Sequence, residues 1–406
     1  MKDSLQKLWH DLNAKKGHNL SMIIGLDGFV DEIVHMVDQR QDFEHFTRIP
    51  TLAALGQRIS RAAGFSTNIE LITQKLKLGG NGPILSNALL SYGVNLTYIG
   101  ALGENSIHPV FEEMVNNCEK SYSLCDPGHS HALEFDDGKL ILGKITVLNK
   151  ITWDRFKELV GSPKEIAAMI DKSDLFGMEN WTMVPYMSQI WQGLIDEVLP
   201  LMADRNGSDY GPDHGSDYGS DYGSGNKKIL AFFDLADPEK RTKEDILSAM
   251  KLIGKFESKF RTVLGLNEKE LYEIAEVFDI KTDGLKKKSN DLENTTLKST
   301  TMAVYDKLGI YCLVVHPVKE ACCVIAGEYY QVDGPYCEKP KLTTGAGDNF
   351  NAGFCLGQAL GLDPRNSITL GVCTSGYYVK NAKSPTYQEI MDFVKEWEMQ
   401  CPVPKR

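Results

Sequence analysis

The sequence predicts an α/β fold in which strands buried on both faces alternate with helices, and three observations carry that prediction. Short runs that are apolar between their ends, Leu20–Gly25, Asp174–Met178, Lys228–Asp234 and Gly309–His316, have the length of strands covered on both sides. Between them apolar residues recur at helical spacing. Glycines sit where strand gives way to helix, at Gly79-Gly80 and again at Gly345 and Gly347.

A chain of 406 residues can bury a large core, as one big domain or as two. Its formal charge of −11 argues against a nucleic-acid surface, because phosphate backbones demand clustered Lys and Arg. A small anion can still be held locally. Met1 to His10 carries no apolar stretch with a cleavage site, and no uninterrupted apolar run is long enough to span a bilayer, so a cytoplasmic protein without membrane contact is expected. Nine cysteines without a Cys-x-x-Cys pair point to reduced, mostly buried thiols.

In chain order, Leu5, Leu8, Trp9 and Leu12 define a short amphipathic helix over residues 2–16. The first strand, Leu20–Gly25, is followed by Asp27 and Asp31, at the strand end where open α/β sheets bind ligands; a solvated loop is the other reading of those two acids. Val30–Val34 continues into a second strand. Gly79, Gly80, Asn81 and Gly82 form a turn into a helix marked by Ile84, Leu85, Ala88, Leu89 and Tyr92, and the strand Leu96–Gly103 follows. Leu133–Ile145 reads as two strands around an Asp137-Gly138 hairpin. Gly138–Lys144 comes close to a phosphate-binding P-loop, but Ile145 stands where Mg²⁺ binding needs Ser or Thr, and a hairpin is the wrong context.

Residues 163–200 read as helix, strand and helix. Around Gly207–Gly223 the composition changes abruptly to Gly, Ser, Asp and Tyr without aliphatic residues, so residues 203–226 read as a flexible surface insertion that leaves the alternating pattern intact on either side; adhesion or metal binding by its Asp and Tyr residues is the other reading. Lys228–Asp234 is a strand and 243–255 a helix. Arg261–Ala275 passes from strand to helix and sets Asn267 and Glu270 three apart, as a capping box or as a metal-ordering pair. Residues 279–300, polar and mixed in charge, read as an exposed connection, before strands at Gly309–His316 and Ala321–Ala326.

The stretch Lys341–Phe354 organises the rest. Phe350, Phe354, Cys355, Ala359 and Leu360 define a helix of about four turns that Gly361 and Pro364 stop. Gly345 and Gly347 let several N–H groups converge at its N-terminus, where the helix dipole adds positive charge, so the spot suits a phosphate. Asp348, in the first turn, is either a capping acid or a base aimed at a hydroxyl.

Thr343–Gly353 resembles the C-terminal signature of the ribokinase-like (PfkB-type) carbohydrate kinases, and Lys77–Gly103 is similar to the N-terminal one; the likeness runs from about residue 20 to 380. The resemblance implies a three-layer α/β/α fold with a central, mostly parallel sheet, one domain over 1–406, and a small β lid near 28–50 and 128–146. It implies ATP and Mg²⁺ as cofactors, an anion hole at Gly345, Ala346 and Gly347, and Asp348 as general base. Sugar contacts fall to Asp27 or Asp31, Gly79, Gly80 and Asn81, the last because Ile84 stands where the family places its Asn. Asn267 and Glu270 would order Mg²⁺. Asn267, Thr344, Gly345, Gly347 and His316 would line the nucleotide, although His316-Pro317-Val318 replaces the usual Thr-x-Gly. Leu342 replaces an Asp that helps a monovalent cation. The implied activity is ATP-dependent phosphorylation of a hydroxymethyl group on a sugar or small polyol; a nucleoside kinase and a non-catalytic sugar- or nucleotide-binding regulator are the rivals. Homodimers through the lid occur in the family.

Overall fold

The structure, a computed structural model, describes residues 2–205, 228–281 and 290–401, so the expected insertion at 203–226 lies outside them from residue 206 onward. Among the described residues fourteen strands occur in the order β1 (Ser21–Gly25), β2 (Phe29–Arg40), β3 (Phe46–Arg48), β4 (Leu71–Gly79), β5 (Asn95–Ala101), β6 (Lys120–Cys125), β7 (Gly128–Phe135), β8 (Gly138–Lys144), β9 (Leu175–Met178), β10 (Ile229–Asp234), β11 (Phe260–Leu266), β12 (Cys312–Val315), β13 (Glu320–Ile325) and β14 (Glu328–Asp333).

Nine of them form one sheet in the order β14-β13-β12-β11-β10-β9-β1-β5-β6. From β12 to β6 every neighbouring pair is parallel, and β13 and β14 add an antiparallel edge. The chain runs outward from β1 to β5 and β6, then returns to β9 on the other side of β1 and runs outward the opposite way. Strand order therefore reverses between β1 and β9, which opens a crevice at their C-terminal ends.

The inner strands of this sheet are buried on both faces because alternate residues feed opposite helical layers. Met22 and Ile24 of β1 face a layer that includes the helices Lys2–Ala14, Asn81–Ser91, Ala346–Ala359 and Pro364–Asn381. Ile23 faces the layer that includes Trp153–Val160, Pro163–Ile170, Lys243–Phe256 and Glu268–Val277. Adjacent Cys322 and Cys323 split the same way, one to each layer, so their side chains diverge; every cysteine is a free thiol. Phe233 anchors the second layer by edge-to-face contacts with Trp191 and Phe256, each 5.1 Å between centroids. Aromatic pairs of this kind add about 0.5–1.5 kcal/mol beyond their burial.

The second sheet is a five-stranded lid, β3-β2-β7-β8 with β4 also on β2. It is larger than the segments 28–50 and 128–146. β2 is twelve residues long, so one of its edges has room for both β4 and β3 while β7 pairs along the other. The helix Leu52–Arg61, N-capped by Thr51, closes a small core of its own with Leu55 against Val34, Ile49, Leu133 and Phe135.

One expectation is corrected. Of the exposed connection expected at 279–300, residues from 290 on belong to a helix, Asn290–Leu308, and Leu297, Thr300 and Thr301 are buried. Residues 290–300 are rich in Thr and Asn, with Leu292 and Leu297 their only aliphatic residues, so that half carries little pattern; the buried stripe Leu297, Val304 and Leu308 runs into the second half and fixes the helix by packing. No helix among the described residues is long and apolar enough to cross a membrane.

Candidate functional site

The helix Ala346–Ala359 begins at the crevice. Gly345 has φ +90°, the left-handed region, and a Cβ there would stand 3.0 Å from Tyr378 Oη and 3.2 Å from Ile84 Cγ2, so conformation and space both require glycine. The amides of Gly347 and Asp348 fall in the first helical turn, where no intrahelical carbonyl is available to them. The helix is buried from Asp348 to Ala359, so its N-terminal amides are held on a rigid element.

Asp348 keeps 9 % exposure and accepts one side-chain hydrogen bond, from Asn81 Nδ2 to its Oδ1 at 3.0 Å. Burial, then the nearby Asp27, push its carboxyl up to about 8. Three further acids stand at the C-terminal ends of the central strands: Asp27 after β1, Glu179 after β9 and Asp234 at the end of β10. Asp234 accepts from Asn351 Nδ2 at 2.9 Å and from the Ala236 amide at 2.9 Å, and burial raises it well above the carboxylate range. Glu179 is fully buried, neither carboxylate oxygen has a partner among the described residues, and burial raises it likewise.

Asp27 and Asp31 have separate tasks. Asp27 is fully buried and accepts from the Asn81 amide at 3.0 Å, the Gly82 amide at 2.9 Å and Asn180 Nδ2 at 2.7 Å, so it pins the N-terminus of the helix Asn81–Ser91. Its carboxyl is pushed up to about 6 by burial, against those hydrogen bonds. Gly82 is required there, since a Cβ would lie 2.7 Å from both Asp27 Oδ1 and Tyr98 Oη. Asp31 belongs to the lid. Its register partners on either side are Lys77 of β4 and Ser130 of β7. Ser130 Oγ donates to Asp31 Oδ1, and Lys77 Nζ lies 3.9 Å from Oδ2. Gly79 backs the Asp31 carboxylate, and Gly80 caps the helix that Asn81 begins.

A pocket opens between lid and body. The lid contributes Asp31, Lys77, Ser130 and Glu134, and the body Asn81, Asn180 and Thr344. Lys139 reaches across it to Thr344 Oγ1 at 3.3 Å. Asp27 does not line this pocket, and Asp348 lies one hydrogen bond behind its Asn81 wall.

Asn267 caps the helix Glu268–Val277 and forms a full capping box with Glu270 at 2.8 and 3.0 Å. The other Glu270 oxygen accepts the Asp237 amide at 2.9 Å. Each oxygen retains a second lone pair. His316, one residue past β12, donates its backbone N–H to Leu266 and lays its ring against Gly347 and, at 4.9 Å, against Phe350. Burial lowers it to about 4, so the ring is neutral. The amide turn suits phosphate, and the lone pairs left on Asn267 Oδ1 and on both Glu270 oxygens, beside Asp234, can accept a hard cation or its waters, so the residues present fit ATP and Mg²⁺.

Sequence reasoning passed over Glu179, Asn180 and Asp234 as site residues. Their signal was present, since Glu179 and Asp234 close apolar strand runs as Gly25 does before Asp27. Lys77 and Ser130 had no such signal, because only lid register brings them beside Asp31.

A model of the prokaryotic ketohexokinase family matches residues 5–208 and 228–397. A ketohexokinase of Haloferax volcanii is 26 % identical over 374 residues, covering 92 % of this chain and 90 % of that one. Among solved structures, the ribokinase of Arabidopsis thaliana complexed with ribose and ATP superposes with a TM-score of 0.61 at 14 % identity, covering 93 % of this chain and 99 % of that one. A ribokinase from Cryptococcus neoformans in complex with ADP gives 0.60 at 15 % identity, covering 94 % and 100 %.

Proposed function

This chain belongs to the prokaryotic ketohexokinase family and is a carbohydrate kinase, and from that premise we propose that it transfers the terminal phosphoryl group of ATP to a primary hydroxyl of a free ketohexose. The observation that carries the choice of a neutral sugar is the charge balance of the pocket. Its two cations each face an acid, Lys77 with Asp31 and Lys139 with Glu134 at 3.2 Å, so no net positive charge is left for a sugar phosphate or sugar acid. Asp31, Asn81 and Asn180 present acceptors and donors to hydroxyls, and Phe29 and Met183 offer apolar surface to the ring carbons.

Asp348 accepts the proton of the attacked hydroxyl, and the first-turn amides after Gly345 stabilise charge on the transferring group. Asn267 and Glu270 would hold Mg²⁺, which when bound neutralises phosphate oxygens. His316, neutral beside Gly347, shapes the nucleotide side without competing for the proton. Asp31 grips the sugar from the lid, and lid closure excludes water. Exposed Leu76 on β4 and Leu142 on β8, in register on the lid face turned away from the pocket, support a homodimer through the lid, which light scattering reads directly.

The test is ATP consumption against a panel of ketohexoses, aldohexoses, sugar phosphates and nucleosides. A free ketohexose is expected to give the highest kcat/KM. Preference for a sugar phosphate or a nucleoside would overturn the reading.

A further inference from the structure

We infer that Asn81 is a positioning residue for the base: its side-chain amide fixes the Asp348 carboxylate and couples it to the hinge of the lid. The inference rests on Asp348 being the base. Asn81 Nδ2 donates to Asp348 Oδ1 at 3.0 Å, and among the described residues no other side chain donates to that carboxylate. The Asn81 backbone is fixed independently, through its N–H to Asp27 Oδ2 at 3.0 Å. It is also the first helical residue after Gly79, which ends lid strand β4, and the capping Gly80. One residue therefore ties together the lid hinge, the anchor of its helix and the reacting acid.

The surroundings of Asp348 make this donor necessary. Asp27 and Asp31 come from the β1–β2 segment, Glu179 from the end of β9, Asp234 from β10 and Glu270 from the helix Glu268–Val277. Each disfavours a further negative charge. His316, on the β12 side, is neutral, and Tyr378 commits its hydroxyl to the Thr344 carbonyl at 2.9 Å. A base acts only when ionised, so the group that donates to its charged form lowers the pH at which it works, against the burial and the neighbouring acids that raise it. Asn81 also lines the pocket, and its Oδ1 makes no bond within the described residues. A sugar hydroxyl donating to that oxygen would polarise the amide and strengthen its bond to the base.

The experiment is the pH profile of kcat/KM for the full chain, Asn81→Ala, Asn81→Asp and Asp348→Asn, with thermal melts alongside. Asn81→Ala keeps the backbone N–H to Asp27 and the helix start, so it is expected to fold. Its acid limb should move up by about one pH unit, a tenfold change in the protonation constant. At neutral pH kcat should fall on the order of tenfold and recover as pH rises. Asn81→Asp, of the same size but acidic, should move the limb further in the same direction. If both variants only raise KM for the sugar and leave the limb in place, Asn81 is a substrate contact alone and the inference is wrong. If Asp348→Asn retains turnover, it is the base assignment that fails, whatever the Asn81 variants show.

Discussion

Asp348→Asn should remove catalysis and stabilise the ligand-free protein, with a pH dependence that identifies the cause. Burial and Asp27 lift Asp348 from an ordinary value of 3.8 to about 8. Between those values the native state holds the proton and the unfolded chain has lost it. The unfolded state then binds one proton fewer, so stability falls as pH rises, by about 1.4 kcal/mol per unit. From pH 4 to pH 7 the loss is on the order of 4 kcal/mol. The amide of D348N is uncharged throughout and keeps an oxygen for Asn81, so the variant lacks that slope. Urea denaturation without ligands should therefore show near-equal stabilities at about pH 4 and a gap favouring D348N by up to about 4 kcal/mol at neutral pH. Turnover should drop by about 10²–10⁴-fold, the usual contribution of a general base. A variant less stable than the parent at neutral pH, or a gap that does not change with pH, would refute the reasoning.

Gly82→Ala should destabilise by about 1–3 kcal/mol, because the added methyl overpacks Asp27 Oδ1 and Tyr98 Oη, both at 2.7 Å; a melting temperature equal to the parent's would show that the helix start can shift. Glu270→Gln sets an amide against one of two backbone N–H donors and should lose about 1–2 kcal/mol of stability. It should also raise the Mg²⁺ concentration needed for half-maximal turnover. Lost stability with an unchanged Mg²⁺ requirement would leave Asn267 and Glu270 as a helix cap alone.

Local chemistry was legible wherever it is written in consecutive residues. The strand runs at 20–25, 174–178 and 228–234 and the glycine turn before Asp348 needed no partner to be recognised, because burial on two faces and a left-handed N-cap each impose their own residue types. The first half of Asn290–Leu308 was not legible, because residues 290–300 carry only two aliphatic residues, and the helix is held by Leu297, Val304 and Leu308 packing into the core. The lid was legible only in outline: β4 reads as an ordinary strand before a glycine turn, and nothing within Leu71–Gly79 says that it leaves the main sheet for β2.

By itself, then, the sequence determined the alternation of buried strands and helices, the glycine turn at Gly345–Gly347 that opens a helix and the acid in its first turn, since these follow from residue types at short range. Only the tertiary structure decided which of Asp27 and Asp31 meets the pocket, that Glu179 and Asp234 crowd the same crevice, and that Asn81 holds Asp348. Those contacts join residues as far apart as 267 positions, and their distances are set by sheet order and lid register, quantities that no local stretch of chain encodes.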